Sequence, residues 1–254
     1  MNTDKDDLIL ELIEKKKRGE KISALTAYDY PQAKLVNEAG VDILLIGDSL
    51  GNVVLGQKDT TEVTVDEMIH HIKAVKRAEP KSLIVADFPA NSYTTTEMAL
   101  THADAFIKAG AEAIKLEGGE SIFPQLKALN DEGFHVLGHA GLLPQTAHLD
   151  GGFKVRGKTN REAELIKKDA LRIQEAGAFG IVLELVPPAL ANEITASLNI
   201  PTIGIGAGDA CDGQILVLHD ILGLGPGPFP KHVSPPVHYF ELMVQTLSEW
   251  RQNI

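Results

Sequence analysis

The sequence holds a single cysteine, Cys211, in 254 residues. One thiol excludes an internal disulfide framework and fits a reducing compartment. Basic residues are also scarce: 24 lysines and arginines stand against 35 aspartates and glutamates, a formal charge of −11. That balance argues against nucleic acid as a main partner, because binding phosphates needs a basic face. No apolar run approaches the roughly 18–20 residues needed to cross a bilayer, so no membrane is expected as a partner. The start, Met1–Leu12, is acidic and lacks the basic-then-apolar order of a secretory signal. Cytoplasm is the expected location. Linkers, low-complexity tracts and charge blocks are missing too, so a single domain over 1–254 is expected.

What is present is a repeat of one local pattern: a short β-branched run, a Gly- or acid-rich turn, then a helix-length amphipathic stretch. The strand candidates are Ile22–Ala27, Asp42–Gly47, Leu83–Asp87, Ala113–Glu117, His135–His139, Gly180–Glu184, Thr202–Gly206 and His219–Leu222. Helical patterns fall at Gln32–Glu38, Val65–Arg77, Thr96–Lys108, Ile122–Asn130, Arg161–Glu175, Ala189–Leu198, Asp212–Val217 and Pro236–Arg251. Asp4–Arg18 reads as an additional N-terminal helix. The Ala-Gly pairs at 39–40, 109–110 and 176–177 read as helix C-caps running at once into a strand. Nearly all-apolar strands alternating with helices mean a parallel sheet covered by helices. Closure into a (β/α)8 TIM barrel is the economical α/β arrangement at this length; a doubly wound open sheet is the alternative. Two connections are long, Ser49–Thr64 and Ala140–Asn160. Both follow strands and so belong to the C-terminal face of a barrel, either as binding loops or as plain surface insertions.

The strand ends carry the chemistry. Ionisable side chains stand at the ends of five consecutive strands: Asp48, Asp87, Lys115 with Glu117, His139, and Glu184. One such carboxylate is readily a helix cap, but four on neighbouring strands are not explained that way. Buried together they need a cation or protons. Asp48, Asp87 and Glu117 offer only oxygen, which suits Mg2+ or Mn2+ over zinc. The His135–His139 spacing resembles a helical zinc pair, yet the segment reads as a strand, where that spacing does not form a ligand pair. His70 and His71 fall in a helical pattern and receive no catalytic role. Lys115 and Glu117, two apart on a strand, point to one side. They read as a substrate-holding ammonium beside a metal-side carboxylate, or as a buried ion pair. Glu184 lies on the strand opposite Asp48 in an eight-stranded barrel. That places it to exchange a proton with bound substrate; the alternative is a cap for the Pro187-Pro188 turn. The Gly204–Gly208 turn reads as a phosphate cradle or as close-packing glycines, and Cys211 as structural.

These segments, in this order, resemble the ketopantoate hydroxymethyltransferase family. They are Thr26-Ala27-Tyr28-Asp29, Gly47-Asp48-Ser49-Leu50-Gly51, Asp87-Phe88-Pro89 and Lys115-Leu116-Glu117-Gly118-Gly119. Further on come Gly138-His139 with Pro144-Gln145, Gly151–Val155, Leu183-Glu184 with Val186-Pro187, Ile203–Gly208 and Cys211–Gln214. The resemblance implies a barrel of the phosphoenolpyruvate mutase/isocitrate lyase type. Asp48 and Asp87 would bind Mg2+, with Glu117 in its inner or outer sphere. Ser49 and Lys115 would hold 2-oxoisovalerate, Tyr28 and His139 would line the pocket, and Glu184 would act as the base. The co-substrate would be 5,10-methylenetetrahydrofolate, the product 2-dehydropantoate of pantothenate biosynthesis, and the assembly a homo-oligomer, a decamer. Departures from the family pattern cluster in Lys58–Thr64 and at Ala90, Ala140 and Leu143; Ala90 and Ala140 replace larger residues and predict a roomier pocket. The rival readings are a Mg2+-dependent carbon–carbon bond enzyme acting on another 2-oxo acid, and a catalytically idle barrel with a binding role.

Overall fold

The computed structural model describes residues 4–149 and 151–254. Eight strands follow one another around a closed barrel: β1 (Ile22–Thr26), β2 (Ile43–Ile46), β3 (Leu83–Asp87), β4 (Ala113–Lys115), β5 (Val136–Gly141), β6 (Gly180–Glu184), β7 (Thr202–Ile205) and β8 (Gly213–Leu216). All neighbours pair in parallel, and β1 meets β8 through Ile22↔Gly213 to Leu25↔Leu216. α1 (Asp4–Arg18) precedes the barrel. The crossovers carry α2 (Tyr30–Glu38), α3 (Leu50–Val53), α4 (Val65–Lys76), α5 (Thr96–Ala109), α6 (Phe123–Asp131), α7 (Asn160–Glu175) and α8 (Pro188–Ser197). After β8 come α9 (Leu218–Leu222) and α10 (Tyr239–Gln252).

Two-residue alternation along the strands sorts the apolar side chains into two cores. Ile22, Ile43, Leu83, Ala113, Leu137 and Val182 point inward and pack with Ile9 and Leu12 of α1, which closes the N-terminal end of the barrel. Leu44, Ile84, Ile114 and Leu183 point outward onto Ile72, Phe106 and Ile173 of the surrounding helices. Those helices start where their first residues can bond the free N–H groups. Thr64 and Thr159 form capping boxes with Glu67 and Glu162, and Thr95 caps α5. α2, α5 and α7 stop at the expected Ala-Gly pairs, with Gly40, Gly110 and Gly177 all at positive φ.

One expectation about the strands fails. The eighth strand is Gly213–Leu216, read from sequence as helical, while the expected strand at His219–Leu222 is the short helix α9. Gly213 explains the difference. A Cβ there would lie 2.4 Å from the Ile22 carbonyl oxygen, so only glycine lets β8 lie against β1 and close the ring. Gly223, left-handed at φ 58°, ends α9.

Among the described residues no helix is long and apolar enough to cross a membrane. α10 has no buried residue, and Leu242, Leu247 and Trp250 are each at least half exposed.

Candidate active site

The alternation that builds the inner core also builds the site. Continuing the inward positions toward the C-terminal ends replaces Val85 by Asp87, Ala113 by Lys115 and Glu117, Leu137 by His139, and Val182 by Glu184. Apolar layers fill the barrel from below, and a charged layer crowns it. Asp48 joins from the turn after β2. Asp48, Asp87, Lys115, Glu117 and His139 are each at most 5% exposed, and the Glu184 side chain is 13% exposed. The five strand ends expected to meet do meet.

Lys115 Nζ lies 2.9 and 2.7 Å from the two Asp87 oxygens and 3.8 Å from Glu117 Oε1. Burial alone would lower its pKa, but Asp87, Glu117 and Asp48 outweigh that and hold it above the ordinary lysine value. One ammonium does not neutralise four carboxylates. Desolvation accordingly raises Asp48, lifts Glu117 well above the usual range, and pushes Asp87 up to about 7 against the pull of Lys115. Desolvation also raises Glu184 to about 8, opposed by Lys115 and reinforced by Asp48 and Asp87. His139 is driven well below 6.5 by burial and by Lys115, so it stays neutral. Its Nε2 stands 3.4 Å from Glu184 Oε2 and its Nδ1 3.9 Å from Glu117 Oε1. Neither ring nitrogen makes a hydrogen bond within the protein, and Glu117 Oε1 also lacks one.

The remaining expected residues fall into place around this layer. Tyr28 is buried, and its hydroxyl lies 2.8 Å from Ser49 Oγ at the start of α3. Gln145 and Tyr93, to which sequence reasoning gave no role, are part of the site. Gln145 Nε2 donates to Asp48 Oδ2 (3.0 Å), and the Tyr93 hydroxyl donates to Gln145 Oε1 (2.8 Å). Pro144-Gln145 belonged to the family-like pattern, but nothing local in a sequence announces that a loop amide will reach a turn 97 residues away.

Other expectations are settled by the same geometry. His135 lies at the opposite end of β5 from the site, with Nε2 2.8 Å from Asp6 Oδ1 of α1, so the two histidines form no ligand pair. His71 bonds the Tyr28 carbonyl oxygen. α8 starts at Pro187 without a side-chain cap. The Gly204–Gly208 turn is packed: a Cβ would strike Cys211 at Gly204, Leu185 at Gly206 and Pro188 at Gly208. Cys211 is buried. Ala140 overturns its expectation. It is an outward position of β5 in the core beneath the helices, so its small size does not widen the pocket. The two long loops do sit on this face, and their 3-10 turns, Thr60–Glu62 and Pro144–Thr146, touch each other. Asp150, in the second loop, lies outside the described residues.

The donors suit Mg2+ chemically: all are carboxylate oxygens, charge is in excess, and Glu117 Oε1 is an orphaned acceptor. Among the described residues no three carboxylates, histidines or cysteines converge closely enough to enclose a metal ion by themselves. Lys115 engages Asp87, and Gln145 engages Asp48, so the expected three-carboxylate cluster does not form as such. This does not conflict with Mg2+, which is commonly held by one or two carboxylates while water and substrate supply the other ligands. Asp48 and Asp87 fit that role. Glu117, tied to Lys115 and Gln145, fits the outer sphere.

A family model described as ketopantoate hydroxymethyltransferase matches residues 8–254. The chain belongs to the ketopantoate hydroxymethyltransferase family. It is a hydroxymethyltransferase, an enzyme of the transferase class. The 3-methyl-2-oxobutanoate hydroxymethyltransferase of Moorella thermoacetica is 51% identical over 94% of this chain and 90% of its own length. The enzyme of the same name from Ignicoccus hospitalis is 52% identical over 88% and 86%. Among solved structures, the phosphoenolpyruvate phosphomutase of Streptomyces platensis subsp. rosaceus superposes with a TM-score of 0.62, covering 96% of this chain and 97% of that one at 14% identity. Phosphonopyruvate hydrolase, solved with oxalate and Mg2+, gives 0.65 over 84% and 81%, also at 14%. At such identities the likeness establishes the shared barrel fold and no more.

Proposed function

We propose that this chain transfers a hydroxymethyl group from 5,10-methylenetetrahydrofolate to C3 of 2-oxoisovalerate, giving 2-dehydropantoate, with Mg2+ held by Asp48 and Asp87. The observation that carries this reading is Glu184. Its carboxyl lies on β6, across the closed ring from β2 and its Asp48, and its pKa of about 8 suits a group that exchanges protons near neutrality.

Each residue then has a task. Lys115, charged and fixed between Asp87 and Glu117, pairs with the substrate carboxylate, assisted by the hydroxyl of Ser49 that Tyr28 orients. Bound Mg2+ would supply the charge that favours loss of the C3 proton. Glu184 accepts that proton. His139, neutral and 3.4 Å from the Glu184 carboxyl, lines the lumen beside it. C3 bonds to the folate methylene carbon, whose two bonds to the folate nitrogens break; a water supplies the product hydroxyl, and the freed nitrogens take up its remaining proton and the one accepted by Glu184. Cytoplasmic residence belongs to the same reading, supported by the single buried thiol. So does a homo-oligomer, in which a second copy covers the exposed apolar side chains of α10.

The test is turnover of 2-oxoisovalerate with and without methylenetetrahydrofolate and Mg2+. Turnover that needs both supports the reading. Turnover with Mg2+ but without folate points instead to a lyase-type activity on another 2-oxo acid. Asp48→Asn or Asp87→Asn should abolish Mg2+ binding and turnover with the fold intact; parent-like Mg2+ affinity in either rejects the ligand assignment.

A further inference from the structure

Gln145 is fixed at four points, and two of them connect it to the charged layer. Its Nε2 donates to Asp48 Oδ2 (3.0 Å) and to the Phe88 carbonyl oxygen (2.7 Å), one residue beyond Asp87. Its backbone N–H donates to Glu117 Oε2 (3.1 Å). Its Oε1 accepts from the Tyr93 hydroxyl (2.8 Å). A carboxylate and a carbonyl only accept, so the amide nitrogen must face Asp48 and Phe88, and the oxygen must face Tyr93. The orientation of the amide is therefore unique.

We propose that Gln145 is a positioning residue for the cation site: it holds one oxygen of Asp48 and one of Glu117 so that their other oxygens face the lumen. The inference rests on the reading that Asp48 and Asp87 hold Mg2+. Glu117 displays the division of labour directly. Its Oε2 is tied to the Gln145 backbone, while its Oε1 is left without a hydrogen bond, 3.8 Å from Lys115 Nζ and 3.9 Å from His139 Nδ1. Asp48 is tied in the same manner, through Oδ2.

An amide suits this task better than a cation would. Lysine or arginine at this position would neutralise Asp48 and compete with the metal, whereas a neutral N–H donor favours the carboxylate form and leaves its charge in place. A latch that merely fastened the loop after β5 would gain as much from any acceptor on the barrel rim. Gln145 instead engages the carboxylates at the ends of two strands and is itself pinned by Tyr93. Partners of this kind around a metal ligand are generally worth about 10–100-fold in metal affinity.

The experiment is Mn2+ titration of the full chain by electron paramagnetic resonance, without folate and without turnover, alongside a thermal melt. Gln145→Met keeps the side-chain length and removes all three amide contacts; it should weaken Mn2+ binding by about 10–100-fold. Tyr93→Phe leaves both donors but unpins the amide, and should weaken binding by a smaller factor. A Gln145→Met protein that melts earlier yet binds Mn2+ like the parent would show a loop anchor only and overturn the proposal. If Gln145→Met does not fold, Tyr93→Phe decides, and unchanged Mn2+ affinity there overturns it equally. A parent that takes up neither Mn2+ nor Mg2+ rejects the metal reading itself, and this inference with it.

Discussion

The two ends of β5 carry one histidine each, and their surroundings differ in kind. His135, at the N-terminal end, is about a quarter exposed and bonds Asp6 of α1. His139, at the C-terminal end, is buried with both ring nitrogens lacking a hydrogen bond, between two carboxylates. Buried polar atoms are nearly always satisfied in proteins, so a cluster of exceptions marks a place where something else binds. The N-terminal end is built to hold together, with apolar layers closed by Ile9 and Leu12. The C-terminal end is built at a cost to stability: four carboxylates share one ammonium, and desolvation raises the pKa of each.

Substitutions at the two ends should separate activity from stability. The largest effect belongs to Glu184. Glu184→Gln should reduce exchange of the 2-oxoisovalerate C3 proton with deuterated solvent by about 10²–10⁴-fold while leaving substrate and metal binding near the parent's. Exchange followed by NMR that does not fall would remove Glu184 as the base. At the other end, Leu12→Ala should lower stability by roughly 2–5 kcal/mol and spare turnover per folded molecule. Denaturant melts paired with kinetics check this, and a large loss of specific activity would mean the two ends are coupled.

A third prediction concerns pH. Glu184 is raised from 4.5 to about 8, so the folded state holds its proton more tightly than the unfolded chain does. Its contribution to stability is complete below pH 4.5 and is lost as the pH rises toward 8. Glu184→Gln removes that loss, so without added metal the variant's melting temperature should decline less than the parent's over this range. His139, held well below 6.5, has the opposite sign: its contribution is present above 6.5 and lost on acidification, in parent and variant alike. Parallel curves for parent and variant between pH 4.5 and 8 would contradict the burial argument for Glu184. The smallest effect is expected at Asp6→Asn, where a part-exposed pair is worth about 0–1 kcal/mol. A double-mutant cycle with His135→Asn measures it, and a coupling of several kcal/mol would show that this end also depends on charge.

Much of the site was legible because strands alternate. Asp87, Lys115, Glu117, His139 and Glu184 all fall on inward positions that an apolar/polar count along a strand identifies. The same count shows that Ala140 faces outward, because it is out of step with the inward Leu137 and His139, a fact that comparison with family residues alone obscured. Gln145 and Tyr93 were not legible. Both act from loops, where no period exists, and their partners lie 97 and 52 residues away. The eighth strand was misplaced because four residues with a glycine at their head carry little periodicity. What makes Gly213–Leu216 a strand is the approach of β1, and that is visible only once the ring is closed.

The helix that closes the N-terminal end also bears on access. With Ile9 and Leu12 packed into the inner core, that end is closed, and the charged layer lies on the side of the loops after β2 and β5. On the proposed reading, two reactants of unequal size would share that side: the small acid, seated against Lys115, would arrive before the folate covers it, and the lengthened acid would depart only after the spent folate had gone. A sealed floor would thus fix the sequence of arrivals and departures, and product-inhibition patterns would read that sequence directly.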